Sequence, residues 1–309
     1  MWGEKPYHSL DYEMKSRFGQ KVYKISLDGG MTCPNRDGLL DTRGCIFCSG
    51  SGSGDFAAPR STSVTAQITQ GIEGISKRKK VGRKFIAYFQ SFTNTYGPVS
   101  YLEPLYKEAL AHPDVVMLSI ATRPDCLPPE VLKLLAECNQ IKPVIVELGL
   151  QTSNESTAQF IRRGYPLAVY DKAVADLKNL GIEVVTHVIA GLPGETEDDF
   201  FATLEHAASC HSDGIKIQLL HILNGTDLAG LYNAGNCKVL TQEQYIDLVI
   251  RSIALLPPEM VIHRLTGDGP KDLLIAPLWS SHKRDVLNEI HRQLKQQNIW
   301  QGKEYKNHE

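Results

Sequence analysis

No apolar run in this chain approaches the roughly 18 residues that a membrane-spanning helix needs. Met1-Trp2-Gly3-Glu4-Lys5 does not open a secretory leader. A strong charge of either sign is also lacking. The 33 basic and 35 acidic residues leave a formal net charge of −2, which neither calls for nor excludes a polyanionic partner. There is no low-complexity tract, internal repeat or obvious linker. Cysteine is scarce and odd in number, at seven. These absences set the expectation of a cytoplasmic protein with reduced thiols. A disulfide framework does not suit that setting, and metal or catalytic use of cysteine becomes the better reading.

Three of the seven cysteines stand together. Cys33-Pro-Asn-Arg-Asp-Gly-Leu-Leu-Asp-Thr-Arg-Gly-Cys45-Ile-Phe-Cys48 is a short glycine-bearing segment after a probable strand. Three bunched thiols are a metal-ligand arrangement. A structural zinc site would need a fourth ligand to close its tetrahedron, and no histidine lies nearby in sequence. An iron–sulfur cubane held by three thiolates instead leaves one iron without a protein ligand. Phe47, just before the third cysteine, can pack over such a group, and Gly29, Gly30, Gly38, Gly44 and Gly50 let the backbone wrap it closely. Cys126, Cys138, Cys210 and Cys237 are scattered, with Cys138 and Cys210 ending apolar helical patterns as core or near-core thiols.

With 309 residues and 42% hydrophobic content, the chain suits one large α/β domain or two smaller ones. Short apolar runs at Val22–Leu27, Phe85–Gln90, Val115–Ala121, Val144–Leu150, Glu183–Ile189 and Gly214–Leu220 alternate with helical patterns. Those patterns cover Thr65–Ser76, Leu102–Ala111, Glu130–Glu137, Ala168–Leu180 and Asp198–Ser209. Six strand–helix units in series predict a parallel sheet with right-handed crossovers. Polar residues recur with period two: Glu147, Gly149 and Gln151 share one face of the fourth strand, and Lys216 and Gln218 repeat the device on the sixth. Strands buried on both faces should be almost wholly apolar. The crossover rule leaves a doubly wound sheet or a full or partial barrel, and polar groups toward the carboxyl ends favour a barrel, which keeps its chemistry there. The fold expected is a partial (β/α)6 TIM-type barrel with a carboxyl-terminal helical extension.

After Leu220 the pattern changes. His221–Gly235 reads as loop, Thr241–Leu256 as a helix stopped by Pro257-Pro258, Val261–Arg264 as one more possible strand, and Lys283–Gln297 as an amphipathic helix. The domains expected are a 1–20 amino-terminal extension, a 21–235 barrel and a 236–309 carboxyl-terminal helical extension. Basic residues cluster over Lys77–Lys84 and recur at Lys283, Arg284, Arg292 and Lys295.

The cysteine segment resembles the cluster loop of radical S-adenosylmethionine enzymes, although its first spacing is longer than the family's usual one. Four further segments fit, in order, the branch that includes the elongator catalytic subunit. They are Gln90-Ser91-Phe92-Thr93-Asn94-Thr95, Thr122-Arg123-Pro124-Asp125, Glu147-Leu148-Gly149-Leu150-Gln151 with Arg162-Arg163-Gly164, and His187-Val188-Ile189-Ala190-Gly191-Leu192-Pro193-Gly194-Glu195-Thr196. The resemblance implies a [4Fe-4S] cluster on Cys33, Cys45 and Cys48 whose fourth iron chelates S-adenosyl-L-methionine. It places Phe47, Thr93, Asn94, Arg123, Glu147, Gln151, Arg163, His187 and Gly191 around that cofactor. His187 stands where relatives often carry an acid, and Ala121 where several carry Glu.

A carboxyl-terminal match, Ile262-His263-Arg264-Leu265-Thr266-Gly267-Asp268 with Leu274-Ile275-Ala276-Pro277-Leu278-Trp279, narrows the resemblance to a bacterial elongator-like family. That family is associated with the side chain of the tRNA wobble uridine on the aminomethyl-uridine pathway. The implied partners are tRNA, with the basic clusters receiving a stem, and a flavodoxin- or ferredoxin-type electron donor. A small-molecule oxidation, as in oxygen-independent coproporphyrinogen oxidase, and a non-catalytic metal- or RNA-binding module are the alternatives.

Overall fold

The computed structural model describes residues 2–52, 54, 63–77, 82–267 and 269–306. Its strands are β1 Tyr23–Leu27, β2 Phe85–Phe89, β3 Val115–Thr122, β4 Val144–Gln151, β5 Glu183–Ala190, β6 Gly214–Leu219, β7 Ile222–Leu223, β8 Val261–Arg264 and β9 Leu274–Ala276. The α-helices are α1 Leu10–Phe18, α2 Val64–Ser76, α3 Val99–Ala111, α4 Pro129–Ile141, α5 Glu155–Phe160, α6 Leu167–Asn179, α7 Glu197–Ser209, α8 Asp227–Asn233, α9 Gln242–Leu255 and α10 Lys283–Gln296. Seven strands form one parallel sheet in the order β1-β2-β3-β4-β5-β6-β8, and β7 pairs with β9 in a separate antiparallel ribbon.

The sheet curls into a half-barrel, and contacts across its interior establish the curl. Lys216 on β6 donates to the Tyr88 hydroxyl on β2 at 3.1 Å. In a flat sheet those two strands would stand roughly 19 Å apart at the usual interstrand spacing. Lys24 on β1 likewise reaches Glu147 on β4. No ladder joins β1 to β8 among the described residues, so the barrel stays open along that edge.

Period-two alternation assigns the two faces. Outward residues such as Phe85, Ala87, Phe89, Leu118, Ile120, Val146, Leu148, Ile215 and Ile217 join helix residues Ile68, Leu102, Tyr106, Leu135, Leu177 and Leu204 in the main core. Inward residues form layers. Nearest the amino ends, Ile86, Met117, Ile145 and Val185 pack against Met14 of α1, which seals the floor. Above them the interior turns polar, with Tyr88, Ser119, Glu147, His187 and Lys216.

The seventh sheet strand, β8, comes from beyond residue 235, the carboxyl limit set for the barrel by sequence. The stretch read as loop over His221–Gly235 contains β7 and α8. Strand β7 owes its existence to pairing with β9 some fifty residues later, a partnership local sequence does not announce. Helix α1 lies inside the expected amino-terminal extension and is capped by Ser9, whose hydroxyl accepts from the Tyr12 amide. The same segment docks on β8 through Ile262 N–H to His8 carbonyl at 2.7 Å.

Candidate active site

At the carboxyl ends of the strands a cavity of about 270 Å³ opens inside the half-barrel. Ten of the twelve expected site residues line it: Cys33, Cys45, Phe47, Cys48, Thr93, Arg123, Glu147, Gln151, Arg163 and His187. Asn94 and Gly191 do not. Asn94 is buried, its Nδ2 donating to the Ala121 carbonyl at 2.8 Å, so it pins the β2 loop to β3. Gly191 has φ +85°, and a Cβ there would meet Leu240 at 3.0 Å.

The cysteine loop is held by its own side chains. Arg36 donates to the carbonyls of Cys48 at 2.9 Å and Ser49 at 2.6 Å. Gly44, at φ +79°, leaves room for that guanidinium, which would stand 2.9 Å from an added Cβ. Asn35 Nδ2 donates to the Arg162 carbonyl at 2.7 Å and lies 3.5 Å from the Cys45 sulfur. Burial, with Cys48 nearby, pushes the Cys45 thiol up to about 12. Assembling a metal group on it therefore requires the metal to displace the proton. Among the described residues the three thiols are not gathered within 4.8 Å of one another with any fourth ligand. One tetrahedral ion with bonds of about 2.3 Å would demand that tighter spacing. Three separated thiols facing a cavity fit a multi-iron cluster and leave room for a non-protein ligand.

Glu147 is the hub of the interior. Its Oε1 accepts from Lys24 and, at 2.7 Å, from Ser119, while its Oε2 accepts from Lys216 and, at 2.8 Å, from His187 Nε2. Both oxygens are thus taken by protein donors from four strands. Attraction from Lys216 and Lys24 overcomes burial and holds this carboxyl well below its usual range. Burial and the Lys216 ammonium lower His187 to about 4, so its ring is neutral and orients by donating to Glu147.

The polar residues assigned to the cofactor divide by what they already hold. Arg163 donates to the carbonyls of Tyr165 at 3.0 Å, Leu150 at 3.3 Å and Thr152 at 2.6 Å, and to Glu155 at 3.2 Å. It braces the end of β4. Arg123 is clamped by Asp125 at 2.9 and 2.7 Å and lies 5.0 Å over the Tyr165 ring, with its charge beside the thiols. Gln151 sits at φ 67° beyond a bulge in the β4–β5 ladder, and Phe92 at φ 58°. Both residues line the cavity in the left-handed region, which non-glycine residues seldom adopt.

Several lining residues escaped the site assignment, among them Arg36, Tyr88, Lys216, Gln218 and Arg264. Lys216 and Gln218 showed in the period-two polar pattern of β6, and Lys24 shows the same signal within Tyr23–Leu27. Tyr88 gave none, since an aromatic in an apolar strand reads as core. Of the basic cluster, Arg78, Lys79 and Lys80 lie outside the described residues. The flanking Arg83 pairs with Asp114 at 3.3 Å and Lys84 donates to the Phe18 carbonyl at 2.9 Å. Both precede β2, at the amino end of the sheet, away from the cysteines. Arg292 is paired with Glu289.

No described helix is long and apolar enough to cross a membrane. The Radical SAM superfamily model matches residues 42–207, and the Radical_SAM C-terminal domain model matches residues 212–296. Bacillus subtilis (strain 168) protein YtqA is 46% identical over 300 residues, covering 97% of this chain and 93% of its own. Elongator complex protein 3 of Schizosaccharomyces pombe is 30% identical over 181 residues, which are 57% of this chain and only 32% of that protein. The structure of archaeal Methanocaldococcus infernus Elp3 superposes with a TM-score of 0.69 over 91% of this chain and 64% of that one, at 18% identity, and so shares the fold. The chain belongs to the radical SAM superfamily, enzymes that use a [4Fe-4S] cluster and S-adenosyl-L-methionine.

Proposed function

We propose that Cys33, Cys45 and Cys48 ligate the cluster, that S-adenosyl-L-methionine binds in the cavity they face, and that the substrate is the wobble-uridine side chain of a tRNA. The observation that carries the first two parts is the placing of three thiols on the wall of a cavity whose floor is sealed by Met14 and its neighbours. When bound, the cluster supplies the electron that cleaves S-adenosyl-L-methionine to a 5′-deoxyadenosyl radical. The chain's own part is to bind, orient and exclude water. Phe47 and Tyr165 wall the cavity beside the thiols. Arg123, fixed by Asp125, sets a positive charge next to them. Thr93 and Gln151 present polar groups from the ends of β2 and β4.

The tRNA part is supported by the resemblance to the elongator-like branch and by the similarity to elongator complex protein 3 over 57% of the chain. A wobble base must leave its stack to reach a site inside a barrel.

Anaerobic reconstitution tests the first part. Wild type should take up about four irons and show the broad visible absorption of a cluster. Cys33→Ala, Cys45→Ala and Cys48→Ala should each lose that absorption and all cleavage of S-adenosyl-L-methionine, while Cys138→Ala keeps both. A triple-alanine variant that still binds the irons sinks the assignment. Mass spectrometry of tRNA nucleosides from a deletion strain tests the last part. An unchanged wobble-uridine profile rejects the tRNA substrate.

A further inference from the structure

The segment Ile262-His263-Arg264-Leu265-Thr266-Gly267 has so far no chemical task. The fold gives Arg264 a particular position. It ends β8, stands in register with Lys216 of β6, and lines the cavity.

Among the described residues, Arg36, Arg123, Arg163, Lys216 and Arg264 line the cavity against one acid, Glu147, and the three thiols. Glu147 has no lone-pair capacity to spare, for four protein donors occupy its two oxygens. The first three arginines are committed to carbonyls, to Asp125 or to Glu155. Lys216 is committed to Glu147 and Tyr88. Alone among these five, the Arg264 side chain has no hydrogen bond or ion pair with any described residue.

Lys216 has an anion beside it in Glu147, whereas Arg264, at the neighbouring register position and partly shielded from water, repels it with no anion of its own among the described residues. The repulsion is felt in the site. Arg264 helps push both Lys216 and His187 toward their neutral forms, although burial is the larger cause in each case. A guanidinium offers a planar fork that matches a carboxylate or phosphate with two parallel hydrogen bonds. The neutral amide of Gln218 lies one inward position further along β6, on the same wall.

We propose that Arg264, with the Gln218 amide on the same wall, forms a subsite for an anionic group, a carboxylate or a phosphate, carried by the molecule on which the enzyme acts. That the occupant is the substrate rests on the function proposed above, whereas the existence of the subsite rests on the geometry alone.

The test is phenylglyoxal labelling of the anaerobically reconstituted wild-type protein, read by peptide mass spectrometry at each arginine. Arg264, with no side-chain partner among the described residues, should react ahead of Arg36, Arg123 and Arg163. Millimolar sodium acetate or inorganic phosphate should slow its labelling several-fold relative to chloride at equal ionic strength. Stronger protection by acetate identifies a carboxylate as the natural group, and stronger protection by phosphate identifies a phosphoryl group. Equal labelling in acetate, phosphate and chloride overturns the subsite. A second measurement guards the assignment to substrate. If Arg264→Gln weakens S-adenosyl-L-methionine binding by about tenfold or more in a titration, the arginine serves the cofactor and the assignment is overturned. The labelling needs no turnover, so its failure leaves the radical reading standing. Absence of S-adenosyl-L-methionine cleavage would defeat that reading without touching the subsite.

Discussion

Arg163, a cofactor contact by the family resemblance, also carries a structural task. In the fold the residue is 2% exposed, and its guanidinium spends its donors on three carbonyls and Glu155. Hydrogen bonds to a charged group contribute about 1.5–3 kcal/mol each, and the carbonyls would be left buried without partners. Arg163→Ala should therefore lower unfolding free energy by about 3 kcal/mol or more in urea denaturation. Weakened cofactor binding without a stability loss would contradict that bracing role.

Glu195 gives a pH-dependent counterpart. Burial pushes its carboxyl up to about 7 from an ordinary 4.5, against a hydrogen bond from Thr152 that pulls it down. The folded state thus holds this proton more tightly than the unfolded chain. The stabilisation is complete below pH 4.5 and is lost as pH rises through about 7. Glu195→Gln, which stays neutral, should gain melting temperature relative to wild type as pH rises from about 5 to about 8. A constant difference across that range would place the Glu195 titration elsewhere. The cysteine trio was legible because three thiols crowded into one short loop suit a shared metal group better than any packing role. Arg264 was visible as part of a matched segment, but its lack of a side-chain partner among the described residues shows only in three dimensions.

At the scale of elements, the six strand–helix units were readable because apolar runs and helical periodicity alternate without interruption from β1 to β6. The cap of α7 was readable too, since Thr196 and Asp199 stand at capping-box spacing. The Thr196 hydroxyl accepts from the Asp199 amide at 3.2 Å, and Asp199 Oδ2 accepts from the Thr196 amide at 2.9 Å. Thr196→Ala should cost about 1 kcal/mol of stability while the cluster absorption is retained, because the cap lies outside the cavity. Loss of the absorption would mean that the cap also positions the cluster loop. What stayed hidden were elements made by distant partners. Strand β7 needs β9, and α1 needs an apolar floor of Ile86, Met117, Ile145 and Val185 to dock upon. Helix α1 has mixed polar and apolar composition, and one buried methionine does not make a periodic stripe.

Across the whole molecule, the division at residue 235 does not coincide with a break in packing. Strand β8 extends the sheet from β6, α9 packs on α7, and α10 packs on α9. Tyr245, Val249, Ile253, Ile262, Ile290 and Leu294 belong to the same apolar core as the strands and helices that precede them. The amino terminus closes the circuit. The Gln301 amide donates to the Pro6 carbonyl at 2.9 Å, and the His8 amide donates to Gln301 Oε1 at 2.8 Å. A domain needs its own core to fold alone, and residues 21–235 share theirs with what lies on both sides. A chain cut after residue 235 would expose the outer face of β6 and the α7 surface, each now covered by apolar side chains. It should therefore lack a cooperative thermal transition by circular dichroism and give poorly dispersed amide signals by NMR. A sharp transition with native dispersion would show instead that the barrel is autonomous and that the carboxyl-terminal quarter only covers it. Arg264 gives the same continuity a functional meaning. The cavity draws Arg264 from the very segment that such a cut removes, so the fragment would lose one wall of the site along with its stability.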